Sequence, residues 1–244
     1  MFNRSDKKEI IFQEFSLVAK HLQDTPKPSR NSIPQWFKND KNFSTGSNDE
    51  LKALKTEYNG TYKMCVPVTD TMSAGYNIVL PATIFIINAG DAENYQPKIT
   101  WQVDWNVCDT QSQDALQSYP RPHEHSPIFF RWRVDWKIIT PSGYSAWITH
   151  PSHRYDLPFT TINGFVDTDA HPSPLLLPFF VKNGFEGKID AGTPIAQVIP
   201  IKRDHWVSKR KDYDEEQLKM FTGYSKLDFF RTYRNRYWSK KTYE

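Results

Sequence analysis

The chain has 244 residues, enough for one large domain but too few for two domains with sizeable separate cores. Its 31 Lys and Arg against 28 Asp and Glu give a formal charge of +3, which alone predicts no nucleic-acid partner. Aromatic residues make up 15% of the chain, and 17 prolines outnumber 10 glycines. These counts exclude a largely disordered protein and argue against a glycine-rich phosphate loop.

The N-terminal part of the sequence predicts an arm rather than a folded core. Residues 7–22 combine a charged start with apolar residues whose spacing fits either a helix or an edge strand. Residues 24–48 are polar and rich in proline, which predicts an extended segment with Trp36 and Phe37 as its only anchors. A short helix is predicted over 48–56, because an Asn-Asp pair at its start can cap the first turn.

The middle of the sequence changes to short apolar runs that are cut by proline and glycine. Runs of this kind without helical interludes predict a mainly β fold, either a sandwich or a small barrel. Strands are expected at 63–69, 76–81, 83–88, 99–107, 129–139, 145–149, 159–162, 175–181 and 195–201. The predicted organisation is an N-terminal arm (1–61), a β domain (62–204) and a C-terminal helical tail (205–244).

The tail begins like a helix at Asp214, where acidic residues suit the positive end of the helix dipole. Its last part, 226–244, interleaves basic and aromatic residues, and two interpretations stay open. Such a segment can bind nucleic acid through phosphate contacts and stacking. The favoured alternative is a helix face that docks on the β domain or on a neighbouring subunit. That face would consist of Phe230, Tyr233, Tyr237 and Lys241.

Four segments of the β domain carry a pattern that is weak singly and moderately specific together. They are Ser73-Ala-Gly-Tyr-Asn-Ile-Val-Leu-Pro81, Ile148-Thr-His-Pro-Ser152, Gly164-Phe-Val-Asp-Thr-Asp169 and Gly192-Thr-Pro-Ile-Ala-Gln-Val198. In this order they resemble the first four motifs of the deoxyuridine triphosphatases. The resemblance covers 65–203 and extends to the dCTP deaminases. It implies a distorted, jelly-roll-like β-barrel that commonly assembles as a trimer.

A second resemblance is to uncharacterised proteins of tailed phages, notably those of marine cyanobacteria. It is carried by Ile33-Pro-x-Trp-Phe-Lys38 and by Gly192-Thr-Pro-Ile-Ala-Gln-Val-Ile-Pro200. This resemblance names no function, but it implies a phage protein in the host cytoplasm or in the virion.

The first resemblance implies a set of nucleotide-site residues. Asp167 matches the carboxylate that orients water in the triphosphatases, and Gln197 matches their phosphate-contacting glutamine. With Ser152 and Arg154 they form the candidate nucleotide-binding set, in which Asp167 is the catalytic residue if the protein is active. The favoured interpretation, however, is that Asp167 and Asp169 make turn and cap hydrogen bonds after a strand.

Several residues that the family's chemistry needs are replaced. Pro151 and Pro194 stand where the second and fourth motifs have arginines, so two phosphate-binding cations are missing. Ala170 stands for the tyrosine under the deoxyribose, and Asn77 for the first-motif aspartate. The glycine-rich closing arm of the last motif has no counterpart, and no general-acid glutamate for deamination can be placed between Ser152 and Asp169.

The histidines offer a weak metal signal. His123-Glu-His125 places two imidazoles on one side of an extended segment, but zinc needs three or four ligands. The prolines around this pair favour a surface loop, so no metal is predicted. His150 and His153 lie near the second motif and, with Arg154, form a possible replacement cation set.

The favoured hypothesis is therefore a non-enzymatic, oligomeric structural or binding module of a phage particle, with a homotrimer as the expected assembly. The alternative is a nucleotide-binding or nucleotide-processing protein, such as a hydrolase, a deaminase or a sequestering protein. No cofactor is expected, except Mg²⁺ if the protein hydrolyses nucleotides. Neither a signal peptide nor a membrane partner is expected, because the apolar runs have only strand length.

Overall fold

A computed structural model describes residues 7–42, 61–91, 93–111, 115, 118–220 and 233–244. Their fold is mainly β, as predicted. The strands are β1 (Ile11–Glu14), β2 (Lys27–Pro28), β3 (Tyr76–Val79), β4 (Ile84–Asn88), β5 (Pro97–Trp101), β6 (Cys108–Thr110), β7 (His125–Arg133), β8 (Trp136–Ile139), β9 (Tyr144–Thr149), β10 (Phe159–Thr161), β11 (Gly164–Val166), β12 (Leu176–Lys182), β13 (Gly187–Ile189) and β14 (Pro194–Lys202). Among the described residues, the α-helices that precede β3 are α1 (Leu17–Leu22), α2 (Gln35–Asn39) and α3 (Val66–Ser73).

All strand pairs are antiparallel, and among the described residues they form four sheets. These sheets do not close into a barrel, which differs from the distorted barrel that the resemblance implies. The sheet orders are β1-β8, β10-β12-β7-β6, β11-β9-β14-β3-β2 and β13-β4-β5. Proline contributes to this division. Pro81 follows β3 and has no N–H for a ladder bond, and the next strand, β4, belongs to a different sheet.

The chain divides into two compact units. The first comprises 1–32, 75–203 and Glu244, and it holds every described strand. The second comprises 33–74 and 204–243, and it includes α2 and α3. The second unit has 15 basic and 11 acidic residues, whereas the first has 16 and 17. The net positive charge of the protein therefore belongs to the second unit.

The first unit has one hydrophobic core, to which all four sheets contribute side chains. At its centre the fully buried Trp132 stacks on Phe179, with 3.5 Å between ring centroids, and meets Phe159 edge-on. The indole Nε1–H donates to Thr161 Oγ1 at 3.1 Å, and that hydroxyl donates to the Ile195 carbonyl at 2.6 Å. Because the polar end of the indole has a partner, its burial carries no unsatisfied donor.

The strand predicted over 63–69 is wrong. These residues form a 3₁₀ turn (Tyr62–Met64) and the first part of α3. Pro67 lies in the first turn of α3, where its fixed φ suits a helix and its missing N–H leaves no helical bond unmade. The Thr69 hydroxyl donates to the Cys65 carbonyl at 3.3 Å, a local bond that a strand does not offer.

The other strand predictions are largely confirmed, with small shifts in the boundaries. The run predicted over 129–139 is divided into β7 and β8, and the run over 99–107 ends early, with β5 at Trp101. The ambiguous opening segment contains both alternatives, since β1 is followed by α1. The helix predicted over 48–56 lies outside the described residues.

The arm and the tail differ in part from their predictions. The supposedly extended arm contains β2, a 3₁₀ turn (Ser29–Ser32) and α2, and of its two predicted anchors only Phe37 is buried, whereas Trp36 is half exposed. The predicted helix start at Asp214 is confirmed, because residues 215–220 are helical and Asp214 Oδ1 accepts the Gln217 N–H at 3.0 Å.

Further along the tail, residues 221–232 lie outside the description, and Tyr233–Tyr237 form a π-helical turn. Residues 238–244 are not helical, so the predicted docking face does not continue to Lys241 as a helix.

Candidate functional site

The four motif segments lie together in the five-stranded sheet. The first supplies β3, the second contains the end of β9 and the loop after it, the third begins with β11, and the fourth supplies most of β14. In the sheet order β14 lies between β3 and β9, and β9 lies between β14 and β11. The first and fourth segments, which are more than 110 residues apart in sequence, thus become neighbours.

Gly75 makes the close approach of the first and fourth motifs possible. Its φ is +63°, in the left-handed region that favours glycine. A Cβ added there would lie 1.9 Å from the carbonyl oxygen of Val198. Packing alone therefore explains the glycine of the first motif at this position, independently of the protein's function.

Ser152 and Gln197, two of the predicted nucleotide-site residues, bind each other. Gln197 is 1% exposed, and its Oε1 accepts the Ser152 backbone N–H at 2.9 Å and the Ser152 hydroxyl at 2.8 Å. These bonds fasten the loop that follows β9 to the neighbouring strand β14. Pro151, which stands where the family has an arginine, is itself buried.

The same loop contains the predicted replacement cations His150, His153 and Arg154. His150 Nδ1 accepts the Thr161 N–H at 3.3 Å, so its proton lies on Nε2, which donates to the Arg154 carbonyl at 3.0 Å. Burial lowers the pKa of His150, which favours a neutral ring. The Arg154 guanidinium forms a bidentate pair with Asp156, with two contacts of 2.9 Å. His150 is thus not a cation, and the charge of Arg154 is already neutralised.

Asp167 belongs to a second polar group at the other end of β9. Its Oδ1 accepts the Ser145 hydroxyl at 2.6 Å and Arg203 Nη1 at 3.2 Å. Arg203 also forms a two-pronged contact with Asp169, which accepts the Gly143 N–H at 2.9 Å as well. The bonds from Arg203 and then from Gly143 lower the pKa of Asp169 to about 2.

Sequence reasoning missed Arg203, although the residue directly follows β14, next to the end of β9 where the third-motif aspartates lie. Its guanidinium joins the Asp167 and Asp169 carboxylates and also donates to the Tyr144 carbonyl at 2.9 Å. The sequence signal that could have identified Arg203 is a basic residue directly after the fourth-motif strand.

The strand register separates Asp167 from Gln197 within one chain. Gln197 is paired with Thr149, whereas β11 ends with Val166 opposite Ala146 and Asp167 continues to Ser145. Four positions along a strand correspond to about 13 Å. The structure therefore joins Gln197 of β14 to the loop that holds Ser152 and Arg154, and leaves Asp167 apart from them.

The His123 and His125 pair does not form a shared site. His125 is buried and both ring nitrogens are used, Nδ1 with the His123 carbonyl at 2.8 Å and Nε2 with Thr160 Oγ1 at 2.9 Å. The His123 side chain is exposed. In the ranges that the structure describes, no three His, Cys, Asp or Glu side chains form a group that could hold a metal ion.

Two large apolar features lie exposed. Phe165 on the edge strand β11 is 69% exposed and stacks beside Trp147, which in turn is paired with Ile199 of β14. In the second unit, residues 204–213 have no regular secondary structure and are exposed, and within them Trp206 is 85% exposed. Exposed aromatic side chains of this size often mark interaction surfaces.

Part of the tail is held by its own unit. The Trp238 indole donates to Asp70 Oδ2 at 2.8 Å, and the Lys241 ammonium donates to the same oxygen at 2.7 Å. Both contacts fasten the last residues to α3. Trp238 and Lys241, two of the residues considered for stacking and phosphate binding, are therefore already engaged.

No helix in the described ranges is both long and apolar enough to cross a bilayer. In comparisons with known proteins, the chain matches no protein-family model and no curated protein sequence.

Proposed function

We propose that this protein is a non-enzymatic, oligomeric structural or binding module, built on an open and distorted relative of the deoxyuridine triphosphatase barrel and used in a phage particle. The observation that carries the proposal is that each residue expected to bind a triphosphate already has a partner within the chain. Ser152 is bonded to Gln197, Arg154 to Asp156, and Asp167 to Arg203.

The location of the motif segments supports the fold part of this proposal. They occupy adjacent strands in the order β11-β9-β14-β3, and the first-motif glycine is required by the approach of the fourth. A sheet in which these segments are neighbours is what a divergent member of the family would keep while losing its chemistry.

The charge inventory argues against catalysis. The two arginines that would bind phosphates are replaced by Pro151 and Pro194. Each charge-assisted hydrogen bond is worth about 1.5–3 kcal/mol, so losing two lowers the rate by a factor of about 10² to 10⁴. Arg154 and Arg203 do not restore this charge, because each is paired with a carboxylate.

The exposed aromatic residues support assembly. Phe165 and Trp206 each expose most of their surface, on a sheet edge and on a segment without regular secondary structure respectively. An edge strand with an exposed aromatic face, like an arm with apolar side chains, gains stability when a neighbouring subunit covers it.

Turnover measurements test the non-enzymatic part. The purified protein, given each deoxynucleoside triphosphate with Mg²⁺, should show no hydrolysis and no deamination above the background of the Asp167→Asn variant. Turnover by the wild type that Asp167→Asn abolishes would overturn the proposal.

A second candidate function is nucleotide binding without turnover, favoured by the closeness of Ser152, Gln197 and Arg154 in one loop region. Titration calorimetry with a nucleotide panel, cyclic nucleotides included, tests it. Heat that disappears in Arg154→Gln but persists in Lys188→Gln would favour this candidate. Lys188 lies on β13 in another sheet, and its exposed side chain pairs with Asp190, so Lys188→Gln provides a matched loss of charge.

A further inference from the structure

A pair of arginines lies on the outer face of the four-stranded sheet, away from the motif strands. Arg131 and Arg133 occupy alternate positions of β7, so their side chains leave the same face of the sheet. The opposite face carries Trp132, which belongs to the core. In the strand register Asp109 of β6 is paired with Arg131, and Leu176 of β12 is paired with Arg133.

Both guanidinium groups approach one oxygen. Asp109 Oδ2 lies 3.8 Å from Arg131 Nη2 and 3.5 Å from Arg133 Nη1. Good N–H···O bonds span about 2.7–3.2 Å, so both contacts are loose ion pairs. Both guanidinium groups can therefore approach this position, but the single carboxylate there forms a good hydrogen bond with neither of them.

Arg131 also has an unmet donor. Its Nε is buried and finds no acceptor in the part of the chain that the structure describes. An arginine has five N–H donors in a fixed fork, and a buried donor of a charged group is costly to leave unpaired. Two guanidinium groups against one carboxylate leave an excess positive charge on this face.

We propose that Arg131 and Arg133 form a binding site for a phosphate-type oxyanion, with Asp109 as the resident competitor. A tetrahedral oxyanion presents several acceptor oxygens to two converging forks, which one carboxylate oxygen does not. Displacement of Asp109 frees the Nη donors of both arginines and lets the Arg131 fork reorient toward the anion. The patch is partly exposed, because Arg133 and Leu176 are both more than a third exposed.

The site is independent of the function proposed above. It lies in the sheet β10-β12-β7-β6, whereas the motif segments lie in the sheet β11-β9-β14-β3-β2. Loss of anion binding would leave the assembly proposal intact, and turnover of a nucleotide would leave this proposal intact.

Calorimetry on the full chain at low salt tests the site, with inorganic phosphate and pyrophosphate as probes. Arg131→Gln and Arg133→Gln should each weaken binding at least tenfold, and Asp109→Asn should strengthen it about three- to tenfold by removing the competitor. Lys98→Gln is the matched control, since it removes one positive charge from an exposed position of β5 in a different sheet and should change little.

A short single-stranded oligonucleotide identifies the source of the phosphate group. If the oligonucleotide binds with the same dependence on Arg131 and Arg133 but inorganic phosphate does not bind, the site is assigned to a nucleic-acid backbone. Binding of inorganic phosphate assigns it to a small anion. If circular dichroism shows that Arg131→Gln does not fold, the Arg133→Gln and Asp109→Asn variants still test the site, because Arg133 is more exposed than Arg131. The proposal is overturned if none of the probes binds at concentrations up to about 10 mM. It is also overturned if these variants leave binding unchanged.

Discussion

Gln197→Leu should destabilise the protein, because Gln197 acts as an internal tether. Its Oε1 is the acceptor for both the N–H and the hydroxyl of Ser152, and the side chain is fully buried in β14. Leucine has a similar volume and keeps the packing, but it offers no acceptor. Each lost hydrogen bond costs about 0.5–1.5 kcal/mol, so the expected loss of unfolding free energy is about 1–3 kcal/mol.

Ser152→Ala is the matched control, since it removes only the hydroxyl bond and should cost about 0.5–1.5 kcal/mol. In a chain of this length each kcal/mol lowers Tm by about 2–4 °C, so Gln197→Leu should lower it by about 2–12 °C. The double variant should be no less stable than Gln197→Leu, because the hydroxyl has then lost its acceptor already.

Urea unfolding followed by circular dichroism measures all three variants. A change below about 0.5 kcal/mol in Gln197→Leu would refute the tether, since such a change is typical of a surface substitution. Loss of nucleotide binding with unchanged stability would instead make Gln197 a ligand residue.

Two more predictions concern the motif sheet. The bonds from Arg203 hold the pKa of Asp169 at about 2, below its ordinary 3.8, so this carboxylate stabilises the fold above about pH 4 and loses that effect as the pH falls toward 2. In urea unfolding from pH 2 to 6, Arg203→Gln should reduce the fall in unfolding free energy between pH 4 and pH 2. A pH profile identical to that of the wild type would contradict this prediction. Gly75→Ala should cost about 2–5 kcal/mol, from the positive φ and the clash with Val198. Gly143→Ala, also at positive φ but with open space around it, should cost only about 1–2 kcal/mol, and equal losses in thermal unfolding would exclude the clash.

The strands could be predicted from the sequence because alternation and proline or glycine breaks are local signals. The run at 195–201 lies inside β14, and the run at 145–149 lies inside β9. The failure at 63–69 has a local cause as well. Pro67 is compatible with the start of a helix, and the β-branched residues around it gave the stronger but misleading signal.

The arrangement of the site could be predicted only in part. Motif order indicated that the segments belong together, and the sheet brings them together. The distance between Asp167 and Gln197 depends on the register of β9 with two neighbouring strands, a long-range property that no local pattern encodes. The pairing of Arg203 with Asp167 and Asp169 depends on the same register.

The mass of the full chain in solution, measured by light scattering over a range of concentrations, tests the central claim most directly. The account predicts an oligomer, with the trimer as the expected state, that dissociates toward smaller species in Phe165→Ser or Trp206→Ser. Tyr155→Ser, which removes an aromatic side chain that is similarly exposed but lies outside both surfaces, should leave the mass unchanged. A wild-type protein that stays monomeric at all concentrations would contradict the account.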